Sequence, residues 1–193
     1  SEKYKITIAS FIDINEEKSL ADLTSFGINV FTIRYPRNQK SISGKINSVF
    51  RNIKPLISYI KGKEPFFIAK YDKQAMSNLI LKLVNSNSFD LVQVEYNVMH
   101  HYTHLFSDIK SLIIFHDVST KMYESGLLVG KKSNKRSFKL AKKIESNIAN
   151  KFDGVVTLTK EDKFYLLKLG CNKTIHIIPP QIKNIQKSLS NKI

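Results

Sequence analysis

The chain has one cysteine, Cys171, so no disulfide can form within it. Placed after Gly170 at the end of a helical pattern, that thiol reads as a packing residue and not as a nucleophile. No apolar run approaches the roughly 18 residues that a bilayer-spanning helix needs. The amino terminus, Ser-Glu-Lys-Tyr-Lys, lacks the apolar stretch of a signal peptide, and a cytoplasmic location is the expectation. There is no Gly-x-Gly-x-x-Gly, which counts against a self-sufficient nucleotide-binding module. Acids are scarce, with 16 Asp and Glu against 31 Lys and Arg, a net charge of +15.

That charge is concentrated. Ten basic residues lie between Arg34 and Lys73, against Glu64 and Asp72, while seven lie between Lys131 and Lys143 with no acid among them. Such fields attract polyanions: anionic lipid head groups, nucleic acid or a negatively charged substrate. Solvated helix faces are the plainer reading. Nucleic-acid binding is not expected, because no recognised motif accompanies the charge and the one aromatic residue within the Lys131 cluster, Phe138, falls on the apolar face of its helix.

What is present is a rhythm of strands and helices in a chain of 193 residues with 42% apolar content, enough for one domain with a substantial core. Tyr4 to Ser10 and Asn29 to Ile33 read as strands, separated by a helix from Asn15 to Phe26 that Asn15 caps and Gly27 stops. Pro36 to Gly44 reads as a polar loop. Ile46, Val49, Phe50, Ile53, Leu56, Ile57 and Ile60 then recur at helical spacing, with a kink expected at Pro55. After Pro65 a second amphipathic helix carries Met76, Leu79, Ile80, Leu83 and Val84.

Further on come strand Leu91 to Glu95, a helical stretch, strand Leu112 to Phe115, and a part-helical, part-loop segment from Ser119 to Gly130. Helix Asn134 to Lys151, strand Gly154 to Thr157, helix Lys160 to Leu169 and strand Thr174 to Ile178 complete the pattern. This predicts an α/β, Rossmann-like three-layer domain with a mostly parallel sheet of about six strands. Ile6, Ile8, Val30, Ile33, Leu91, Val92, Val94, Ile113, Ile114, Val155, Val156 and Ile177 are its expected interior.

Two of these strands end abruptly at ionisable residues, Glu95 on one and His116-Asp117 on the other. If the strands are parallel neighbours, all three groups reach one carboxyl-end rim, where ligands of open α/β sheets bind. The run His100-His101-Tyr102-Thr103-His104 raises a metal reading, since His100 and His104 at i and i+4 would share an α-helical face. No carboxylate or cysteine lies nearby in sequence to complete the shell, so no metal is expected.

The order of motifs resembles the amino-terminal half of a glycosyltransferase of family 4. The residues that carry the resemblance are Lys63-x-Pro65 with Tyr71 downstream, Phe89-Asp90-Leu-Val-Gln-Val-Glu95 and Ile-Ile-Phe-His116-Asp117-Val118. Glu145 follows, then Phe152-Asp153-Gly-Val-Val-Thr-Leu-Thr159-Lys-Glu-Asp162, and last Ile175-His-Ile-Ile-Pro179. The match runs from about Tyr4 to Gln181. It implies the acceptor-side domain of a two-domain GT-B enzyme, whose missing half would bind a nucleotide-sugar donor and which would act on a lipid-linked, glycan or other acceptor with retention of configuration.

The resemblance also implies that residues 1–181 form this domain without its first strand, because Tyr4 to Ser10 runs into Phe11-Ile12-Asp13-Ile14 with no glycine-rich turn. Residues 182–193 would be a basic tail or linker stub, and the chain alone would be inert and without a cofactor. On this view His116 and Asp117 are the catalytic candidates, while Glu95, Tyr96, Thr157 and Thr159 contact substrate. His116 would bond a sugar hydroxyl or stabilise charge in the transition state; the other reading is a strand-end histidine bonded to a carbonyl. Asp117 is expected to cap the next segment or orient His116. Glu95 would accept a sugar hydroxyl or close a salt bridge, Thr157 and Thr159 would meet ligand or cap the helix at Lys160, and Glu145 is expected to serve structure. The competing function is a non-catalytic binding or scaffold domain that recognises an anionic acceptor or the inner face of a membrane through its basic helices.

Overall fold

The computed structural model describes residues 4–36, 42–132 and 134–180, with backbone alone for Ile14 and residues 42–48. Strands β1 (Thr7–Ile12), β2 (Asn29–Arg34), β3 (Val92–Glu95), β4 (Ser111–Phe115), β5 (Gly154–Thr157) and β6 (Ile175–Ile177) alternate with helices. The helices are α1 (Leu20–Ser25), α2 (Ile42–Ile60), α3 (Phe66–Ala69), α4 (Gln74–Ser86), α5 (Ser119–Leu128), α6 (Asn134–Asn150) and α7 (Lys160–Lys168). Every strand pairing is parallel. The class is the expected Rossmann-like α/β fold.

The expected single sheet is divided: β1 pairs with β2 alone, and β3-β4-β5-β6 form a second ladder. Among the described residues side chains join the two, not backbone hydrogen bonds. Phe11, Tyr35 and Tyr71 form a trio with ring centroids 5.4–5.9 Å apart, and Phe11 and Tyr35 enter the same buried cluster as Val94, Ile113, Phe115, Phe152 and Val155. Tilted aromatic pairs at such distances add attraction beyond the area they bury. Below them Tyr102 is buried; its hydroxyl donates to the Tyr71 carbonyl and accepts from the Lys73 amide, and burial pushes its pKa up to about 12.

The interior of the four-stranded ladder follows the sequence pattern, with Ile113 and Val155 wholly buried. Ile6, Leu91 and Ile177 do not, at 39%, 48% and 37% exposed. Ile6 and Leu91 stand just outside β1 and β3, and Ile177 belongs to the edge strand β6. At the start of β5, Gly154 lies opposite Leu112, where an added Cβ would come within 2.6 Å of the leucine side chain.

Several helical expectations change. The segment read as one helix from Asn15 is a 3-10 turn, Ile14–Ser19, followed by α1, and Glu16, not Asn15, serves its start by accepting from the Asp13 amide at 2.9 Å. Gly27 ends α1 at φ +73° as expected. The helix after Pro65 breaks into α3 and α4, and Asn97–Leu105 is a 3-10 helix. The part-loop segment from Ser119 is regular helix as far as Leu128. Asp117 does not cap it.

Helix α2 forms despite Pro55, but its apolar stripe looks outward: Val49, Phe50, Ile53, Leu56, Ile57 and Ile60 are all exposed. Residues 37–41 of the expected loop, the 181 boundary and the 182–193 tail lie outside the described residues. The lysines of the Lys131 to Lys143 segment are exposed, whereas Arg136 donates to the Tyr59 and Ile60 carbonyls at the end of α2. Cys171 is buried in the core cluster. Among the described residues no helix is long and apolar enough to cross a membrane.

Candidate functional site

Strands β3 and β4 pair in the register Glu95 to Ile114, so the residues that follow them reach the same carboxyl-end rim. His116 Nε2 lies 2.7 Å from Glu95 Oε2, and the other oxygen of Glu95 accepts from Gln93 Nε2 at 2.6 Å. The Tyr96 ring stacks on His116 with centroids 3.9 Å apart at 18°. Tyr96 has φ +69°, the left-handed region that costs a tyrosine on the order of 1 kcal/mol, and its amide is held by the Ile114 carbonyl at 3.0 Å. The group is open to solvent, with side-chain exposures of 31% for His116 and 47% for Glu95. It can orient an imidazole against a hydroxyl and offer a flat aromatic surface beside it.

The other expected site residues are placed differently. Asp117 is exposed, with no hydrogen bond from its carboxylate among the described residues. The buried Thr157 hydroxyl donates to the Thr159 carbonyl at 3.1 Å; that of Thr159 accepts from the Asp162 amide at 3.0 Å and donates to Asp162 Oδ2 at 2.6 Å. Both hydroxyls are spent on the turn that caps α7. Gln93 is the rim member that sequence reading missed, though strand alternation already put it on the face of Glu95.

The capping of α5 falls to Glu145, which is wholly buried in α6. Its carboxylate accepts from the amides of Ser119 at 2.7 Å and Thr120 at 2.8 Å and from Asn97 Nδ2 at 3.0 Å. Burial raises its pKa against the pull of these donors. The arrangement is the structural anchor expected of this residue.

A second cluster of ionisable groups lies where Glu64, between α2 and α3, meets the 3-10 helix. Glu64 Oε2 stands 3.5 Å from His100 Nε2 and 3.6 Å from His101 Nε2. The i, i+4 pair that the sequence suggested does not form, because a 3-10 helix eclipses i and i+3 instead; His104 turns back to the His101 carbonyl at 3.0 Å. Burial lowers the pKa of His100, with Glu64 pulling the other way. Burial pushes Glu64 up, but the two imidazoles and Ser58 outweigh it and hold the carboxyl below its ordinary range. A cavity of about 220 Å³, lined by Lys54, Lys61, Lys63, Glu64 and Asp72 among others, adjoins the cluster.

No protein-family model matches this chain, and no curated protein matches its sequence. Among solved structures, the crystal structure of Arabidopsis thaliana UGT89C1 complexed with UDP-L-rhamnose is similar over 91% of this chain and 44% of that one, at 12% identity and a TM-score of 0.47. The chain thus spans less than half the length of that protein.

Proposed function

We propose that the chain is the acceptor-side domain of a glycosyltransferase, in which His116, held by Glu95 and faced by Tyr96, handles a sugar hydroxyl or the charge that develops during transfer. The observation that carries this reading is the rim itself: a histidine bonded to a carboxylate at 2.7 Å, half-open to solvent, at the carboxyl end of adjacent parallel strands. The motif series that runs from Lys63-x-Pro65 through His116-Asp117 to Ile175-His-Ile-Ile-Pro179 supports the same reading. The donor, a nucleotide sugar, would be held by a second domain, and the acceptor would be a glycan or a lipid-linked sugar. The division of the sheet at β1 and β3 is consistent with a domain that lacks one strand. Family 4 remains the proposed assignment within that class.

The test is sugar transfer by the product of the complete reading frame, supplied with uridine and guanosine diphosphate sugars and with glycan and lipid-linked acceptors. His116→Ala should lower the rate about 100-fold or more if the imidazole assists the proton or charge transfer. The 193-residue chain alone should show no micromolar affinity for the donors. Transfer that survives His116→Ala unchanged would remove the rim from the mechanism.

A second reading draws on α2. Its outward apolar residues, with Phe50 70% exposed, and Phe67 of α3, 46% exposed, are close in sequence to Lys54, Lys61 and Lys63, a composition suited to docking on anionic lipid. Each cation near such a surface contributes on the order of 1 kcal/mol. Co-sedimentation with anionic but not neutral vesicles, weakening with salt, is the expected outcome. Equal binding to both would leave this face as ordinary surface.

A further inference from the structure

We infer that Glu64, His100 and His101 form a binding site for one zinc ion, separate from the His116 rim. One carboxylate oxygen and two imidazole nitrogens, all within 4.8 Å of one another, converge here from segments 36 residues apart in the chain, counting from Glu64 to His100. In a tetrahedral zinc site with bonds of about 2.0–2.2 Å, neighbouring ligand atoms stand about 3.3–3.5 Å apart. The carboxylate-to-imidazole separations of 3.5 and 3.6 Å are already close to that spacing. They are longer than a good hydrogen bond, so the geometry fits a shared ion better than direct pairing.

The independent observation is His100. It is 9% exposed, and among the described residues neither of its ring nitrogens makes a hydrogen bond, the Glu64 carboxylate standing 3.5 Å from Nε2. A buried polar group left without a partner costs stability, and a metal ion would satisfy it. The donor set of one carboxylate and two imidazoles suits zinc, which takes nitrogen and oxygen ligands. Three protein donors leave a fourth position for a water molecule or a small anion, and a cavity with Lys54, Lys61 and Lys63 in its wall adjoins the site on the Glu64 side. His101 Nε2 now lies 3.2 Å from the Ile68 carbonyl, a contact it would exchange for the metal.

The test is titration of zinc sulfate into the chelator-stripped 193-residue chain, followed by calorimetry, with cobalt as a spectroscopic substitute whose visible absorption reports coordination geometry. One zinc per chain and a tetrahedral cobalt spectrum are expected. Glu64→Gln and His101→Ala should each weaken binding at least about tenfold, His100→Ala likewise, and His104→Ala should bind as the unaltered chain does. Circular dichroism checks that each variant folds; should His100→Ala fail to fold, Glu64→Gln and His101→Ala decide the outcome. Absence of stoichiometric zinc, or binding untouched by Glu64→Gln and His101→Ala, would overturn the assignment. So would loss of binding in His104→Ala alone.

Discussion

Glu145 and Glu64 are both carboxylates turned inward between helices, yet they are treated in opposite ways. Glu145 has three donors within 3.0 Å, two of them backbone amides at the start of α5, and no exposure. Glu64 has Ser58 Oγ at 3.3 Å and two imidazoles beyond hydrogen-bond comfort, one of which has no other hydrogen-bond partner for either nitrogen among the described residues. A buried polar group that is fully satisfied fastens structure; one whose neighbours are left half-satisfied has capacity for something else. Glu64 is also the less buried of the two, but burial does not say which groups are satisfied. Counting partners does.

The largest effect should follow from taking away the satisfied carboxylate. Glu145→Ala leaves two amides and the Asn97 side chain buried without an acceptor, and a loss of about 3–5 kcal/mol is expected from such a broken buried network. Urea unfolding would read it as a lowered midpoint with the slope unchanged. A loss below about 1 kcal/mol would mean that Glu145 is not the fastening of α5.

The pH dependence of the same residue sharpens the contrast. Because burial raises the folded pKa of Glu145 above its ordinary 4.5, the folded protein holds this proton more tightly than the unfolded chain. Its contribution is then complete below the unfolded value and declines as pH rises through the folded one. The stability advantage of the unaltered chain over Glu145→Gln should shrink from pH 4 towards neutrality. An advantage that grows with pH would show that the hydrogen bonds, not burial, control the carboxyl.

How much of this was legible in the sequence varies with the physics involved. Strands β4 and β5 were located to within a residue, because apolar runs bounded by polar residues specify buried parallel strands. The rim pair was equally readable: parallel pairing necessarily carries the ends of β3 and β4 to one edge. The apolar stripe of α2 gave the helix but not its environment, since periodicity identifies a face and not what covers it. The i, i+4 histidine argument failed on a geometric assumption, because a 3-10 helix turns every three residues. Glu64 was out of reach for a different reason: its meeting with His100 depends on tertiary packing that no local spacing encodes. The cap expected of Asp117 comes instead from Glu145, on a helix far along the chain.

A smaller and inverted effect is expected at the under-satisfied cluster. In the metal-free chain His100→Leu removes a buried imidazole whose contact with Glu64 is a long 3.5 Å and replaces it with an apolar side chain. The change should lie within about 1 kcal/mol of neutral and on the stabilising side, since only the long contact with Glu64 is lost and a desolvation cost is relieved. Urea midpoints in the presence of chelator would measure it. A loss above about 2 kcal/mol would make His100 an ordinary packed member of the core and erase the contrast with Glu145.

The smallest effect belongs to the rim, where the pair is close but wet. Glu95 and His116 are 2.7 Å apart, yet 47% and 31% of their side chains are exposed, so water competes for both groups and salt screens them. A double-mutant cycle with Glu95→Ala and His116→Ala should give a coupling of about 0–1 kcal/mol in folding stability, and each single variant should stay within about 0.5 kcal/mol of the parent. Such silence is what a site residue should show: a contact worth little to the fold is kept for orientation, and its removal is felt in chemistry instead. If either single variant unfolded the chain more readily by 2 kcal/mol or more, the dyad would belong with Glu145 among the fastenings, and the proposed role of His116 in sugar transfer would lose its structural basis.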